Sequence, residues 1–100
     1  RDVFIHVKPE HIAEAHALIS DAVRPTGSAE VFTTRDLIEK GYFGEVGPRF
    51  LERVGDIAVL ALEDYLLWYG DSRQVPPYVG MHGGLAPAEM LTHISLLPLG

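Results

Sequence analysis

Ile57-Ala58-Val59-Leu60-Ala61-Leu62 is apolar at every position, bounded by Asp56 on one side and by Glu63-Asp64 on the other. Six such residues fall far short of the roughly 20 needed to cross a bilayer. Their unbroken apolar character is instead that of a strand covered on both faces, since a half-solvated strand would alternate apolar and polar residues. The run therefore predicts the central strand of a small parallel or mixed sheet, and the rest of the chain is read around it.

Immediately upstream, Gly47-Pro48 places proline where a first helical turn tolerates it. Phe50, Leu51 and Val54 then supply one apolar face before Gly55 closes a short helix. Asp56, at the entrance to the strand, is expected to accept backbone N–H groups of the preceding turn. Val3 to Val7 reads as another doubly covered strand. After Pro9, the spacing of Ile12, Ala15, Ile19, Ala22 and Val23, with Glu14 and Asp21 opposite, predicts an amphipathic helix that Pro25 and Gly27 stop. Glu30 to Thr33 is β-branched and aromatic enough for a strand. Thr34 is the expected N-cap of a helix from Arg35 to Lys40, which Gly41 ends.

Downstream of the central run the signals weaken. Tyr65 to Tyr69 fits a strand or a hairpin arm, Gly70 to Arg73 a turn, and Pro87 to Leu97 a helix start with a mixed continuation. The expectation is a single domain or fragment over residues 1–100, of α/β or α+β class, with a small mixed or parallel sheet and flanking helices. Arg1 precedes a strand directly, and Leu96-Leu97-Pro98-Leu99-Gly100 is still apolar, so both ends read as cuts within a longer protein. Self-association through a missing sheet edge is expected of such a piece.

Eight Lys and Arg against fourteen Asp and Glu give a net charge of −6, with no basic stripe to neutralise a phosphate backbone, so no nucleic-acid-binding surface is expected. With no cysteine there is neither a disulfide framework nor a thiolate metal site, which fits a cytoplasmic location. No membrane span is expected.

The chemistry-bearing stretch is Tyr78-Val79-Gly80-Met81-His82-Gly83-Gly84-Leu85-Ala86-Pro87-Ala88-Glu89-Met90. Gly80, Gly83 and Gly84 remove side-chain bulk around His82, so its neutral imidazole can approach a metal or an anion. On spacing alone a single histidine does not hold zinc, which needs three or four protein donors. His11 and His16, five apart, do not share a helix face and are read as rim or solvent residues, and His93 as a structural histidine. Ser20, Ser28, Ser72 and Ser95 lack a Gly-x-Ser-x-Gly turn, and no phosphate-cradling glycine motif is present.

The run Gly80 to Met90 resembles the C-terminal motif of the alkaline phosphatase superfamily, in its type I phosphodiesterase and nucleotide pyrophosphatase branch. There, His-Gly-Gly-Leu is followed by Ser or Thr, Pro, an acidic pair and an apolar tail. Lys40-Gly41-Tyr42-Phe43-Gly44 and Arg53-Val54-Gly55-Asp56-Ile57-Ala58-Val59 are similar to shorter landmarks that precede it. The resemblance implies the C-terminal part of an alkaline phosphatase-like fold in a larger metallohydrolase. It implies that His82 binds one of two catalytic zinc ions and that Gly80, Gly83 and Gly84 form its supporting turn. The nucleophile and the other ligands would lie upstream of this chain, so the isolated chain would contain no catalytic residue, retain no zinc and be inactive alone, while the parent would act on a phosphodiester or nucleotide. Ala86 departs from the family's capping hydroxyl, a loss of about 1 kcal/mol at the helix start. Ala88 replaces an acidic residue, and Thr92-His93-Ile94 replaces Val-Pro-Leu. The competing reading is a free-standing, non-catalytic α/β binding or regulatory module.

Overall fold

The structure, a computed structural model, describes residues 2–68, 79–80 and 82–100. The fold is mixed α/β. Strand β1 (Asp2–Ile5) leads through a 3-10 turn at Pro9–His11 into α1 (Ile12–Val23). Strand β2 (Ala29–Thr33) runs directly into α2 (Thr34–Glu39), and α3 (Phe50–Val54) precedes β3 (Ile57–Ala61). A short α4 (Pro87–Met90) follows the histidine turn.

The three strands lie in the order β1-β3-β2, so the run that the sequence marks as central is central. All five residues of β3 are buried, with Ile57 and Ala58 at 0% exposure. The direction differs from expectation: β3 is antiparallel to both neighbours, Val59 standing opposite Val3 on one side and Val31 on the other. The sheet is therefore neither parallel nor mixed. β1 and β2 do run the same way and are linked through α1, as in a βαβ unit, but β3 fills the slot between them in the opposite sense. An apolar run reports that both faces are covered; it carries no information about the direction of its neighbours. β1, read as doubly covered, is an edge strand whose Val3, Phe4 and Ile5 are only half-buried.

One face of the sheet presents Ala58 and Leu60, which cluster with Leu37 of α2 and with the half-buried Phe4, Phe32, Phe43 and Leu85. α1 packs against β2. There the His16 ring Nε2 lies 3.1 Å from the Val31 carbonyl oxygen, a bond that occupies a backbone group of a strand otherwise at the sheet edge.

Helix ends follow local chemistry. The cap of α2 is Thr33, one residue earlier than expected, its hydroxyl accepting the Asp36 N–H at 3.1 Å. Thr34 is instead fully buried in the first turn. Pro48 precedes α3 without entering it. Gly55 ends α3 at φ +93°, and a Cβ there would stand 3.0 Å from the Ile5 carbonyl oxygen, so this corner needs glycine twice over.

Asp56 fastens the same corner. Its N–H donates to the Ile5 carbonyl at 2.9 Å, its own carbonyl accepts from Thr34 N–H at 2.8 Å, and its carboxylate Oδ2 accepts from Val7 N–H at 2.8 Å. The carboxylate thus takes an N–H at the exit of β1, 49 positions away, and not one from the preceding turn. Residues 65–68 form no regular element. Tyr69, the turn expected at Gly70 to Arg73, and Met81 lie outside the described residues. No helix among the described residues is long and apolar enough to cross a membrane.

Candidate functional site

The His82 turn is built by two glycines and one carboxylate. Gly83 adopts φ +104°, a conformation that side chains with a Cβ rarely take. Gly84 is buried, and a Cβ there would run into the Glu89 carboxylate. That carboxylate accepts the Gly84 N–H on Oε1 at 3.1 Å and the Ala86 N–H on Oε2 at 3.3 Å. At Gly80 a Cβ would meet no described atom within 4 Å.

Ala86 occupies the N-cap of α4 and brings no side-chain acceptor, while Glu89, at the third helical position, reaches back to the Ala86 N–H. This is the glutamate half of a capping box, operating without its hydroxyl partner. The helix stops after one turn. Leu91 is extended at ψ 132°, so Thr92 and His93 lie beyond α4 in a segment with no regular structure.

The turn sets His82, exposed, at the rim of a groove of about 510 Å³. It is lined by Phe4 and Leu60 of the sheet, by Leu37, Phe43 and Phe50, and by Leu85 and Met90. The charged residues among its described lining are Asp2 and Glu89. Phe43 stands between two other rings, 6.5 Å from Phe4 and 4.9 Å from Phe50 by centroid, tilted about 52° and 55° to them. These are ordinary edge-to-face separations.

The other histidines are elsewhere. His11 Nδ1 lies 3.4 Å from Glu14 Oε2 on the exposed side of α1, and His16 is spent on Val31. His93 is exposed and does not line the groove. Among the described residues no three His, Asp or Glu side chains are gathered closely enough to hold a metal ion.

Two elements of the site escaped the sequence reading. Glu89 reads in the sequence only as an acidic residue near a helix start, because Ala86 three positions before it lacks the hydroxyl that would complete a capping-box signal. The ring series joins Phe4, Phe43 and Phe50 from a strand, a loop and a helix, and no periodicity links residues so far apart. Compared with protein-family models, curated proteins and solved structures, the chain finds no match.

Proposed function

We propose that this chain is the C-terminal part of a zinc-dependent phosphodiesterase or nucleotide pyrophosphatase of the alkaline phosphatase superfamily, a cytoplasmic enzyme to which it contributes the metal ligand His82. The observation that carries this reading is the placement of His82. The imidazole is exposed at the rim of a groove, on a Gly83-Gly84 turn clamped by Glu89, inside the residue pattern from Gly80 to Met90. A ligand from a rigid turn loses little freedom on binding, and Gly83 keeps side-chain bulk away from the imidazole.

This chain's own role is then to hold one imidazole in place, with the nucleophile and the remaining donors supplied by residues outside it. The groove beside His82 suits an ester's organic part better than its phosphate, because its described lining contains no Lys or Arg. The second reading, a free-standing non-catalytic binding module, is favoured by that same groove.

The deciding measurement is made on the full-length parent. His82→Ala should lower zinc content, read by elemental analysis, and should reduce hydrolysis of a chromogenic phosphodiester by more than the roughly 10- to 100-fold that groups outside the ligand shell are worth. Unchanged zinc stoichiometry counts against the assignment. The reading frame should also continue upstream of Arg1 into a segment with further Asp and His and a Thr or Ser nucleophile.

A further inference from the structure

We propose that the groove beside His82 is a binding site for an uncharged aromatic ring. On the reading of the chain as part of a phosphodiesterase, it receives a ring-bearing alcohol portion of the ester. Three observations converge on it. The first is size and lining: about 510 Å³ lies within the 300 to 1,000 Å³ of small-molecule sites, and the walls are aliphatic and aromatic with few polar groups.

The second is the ring series. Phe4, Phe43 and Phe50 are each only half-buried, and all three line the groove, so the series is not closed off by other side chains. A further ring set against Phe43 or Phe50 would extend an arrangement already spaced at 4.9 and 6.5 Å. Met90, in the same lining, offers a polarizable thioether, which makes favourable contacts with aromatic rings.

The third is charge. The charged lining is acidic, Asp2 and Glu89, and no Lys or Arg stands among the described lining residues. An uncharged ring needs no counter-charge from this lining, whereas an anion would find no Lys or Arg among its described residues. The specificity element is thus the pair Phe43–Phe50, in the same lining as His82.

The test begins with the isolated chain, without metal, titrated with 2-naphthol and separately with cyclohexanol while amide and ring resonances are followed by NMR. The expected result is saturable naphthol binding that shifts Phe4, Phe43, Phe50 and the amides of Gly83 and Gly84, with cyclohexanol several-fold weaker. Phe43→Leu keeps an apolar side chain but removes the ring, and should weaken naphthol about threefold to tenfold. Met90→Ala, at an exposed position that folding does not need, should weaken it more mildly.

Equal binding of the two alcohols overturns the proposal, as do naphthol shifts confined to other surfaces or an unaltered affinity in both variants. In the parent, Phe43→Leu should raise KM for an aryl phosphodiester severalfold more than it raises KM for a methyl ester. Naphthol binding to the isolated chain but not to the parent would mean that the parent's own chain fills the groove, which also overturns it. Zinc loss in His82→Ala reads the enzymatic proposal alone, so the two can fail separately.

Discussion

Residues 2–62 and residues 79–100 are similarly rich in apolar side chains, yet they use them in opposite ways. In the first region apolar residues meet each other: β3 is buried along its whole length, and Leu37 closes over Ala58 and Leu60. In the second, Ile94, Leu96 and Leu99 are 83%, 88% and 98% exposed, Leu85 alone packs against the core cluster among the described residues, and the histidine turn is tied by hydrogen bonds that a single carboxylate accepts. Apolar composition therefore says that a segment wants a partner, not that it has one within the same chain. Stability resides in the first region, whereas the residue with chemical character sits in the second on a scaffold of two glycines and Glu89.

The contrast fixes where substitutions should hurt. Ile57→Ala removes a fully buried side chain between two neighbouring strands and should cost about 2 to 5 kcal/mol, read as a lower urea midpoint. A loss comparable to that of a surface change would mean that β3 is not the core. Gly55→Ala combines a strained φ with a Cβ 3.0 Å from the Ile5 carbonyl and should cost about 1 to 3 kcal/mol. Wild-type stability in that variant would show that the α3–β3 corner can relax.

Smaller effects belong to the second region. Glu89→Ala strips the acceptor from Gly84 and Ala86 and should weaken the turn locally by about 1 kcal/mol. The expected readout is faster amide exchange at those two residues with the urea midpoint hardly moved. If global stability fell instead, the two regions would be one cooperative unit. Leu97→Asp, at an 82% exposed position, should change stability by no more than about 0.5 kcal/mol while reducing concentration-dependent light scattering. A large destabilisation there would reveal a covered tail.

Much of the first region could be read from pattern because its signals are local or periodic. The 3.6-residue recurrence from Ile12 to Val23 gives α1 nearly to its ends, and the unbroken run gives β3. Strand direction escaped because it depends on which neighbours a strand finds, and the linkers here, each of which contains helix, fit either sense. The cap of α2 moved from Thr34 to Thr33 because two adjacent threonines offer the same hydroxyl, and the tertiary fold buries the second. At the site, His82 and Gly83 stand out in the sequence. The groove does not, because its walls come from β1, the segment around Phe43, α3 and α4, elements brought together only by the fold.

The place of β3 between β1 and β2 also sets an order of events during synthesis. Every strand pairing among the described residues includes β3: β1 has no other partner, and neither does β2. A nascent chain that has reached only Gly55 holds two strands running the same way with an empty slot between them, and no ladder can begin. The two described ladders can form only once β3 has been made, and both then form around the same incoming strand. A chain stopped at residue 56 would keep its α1 pattern and have neither ladder.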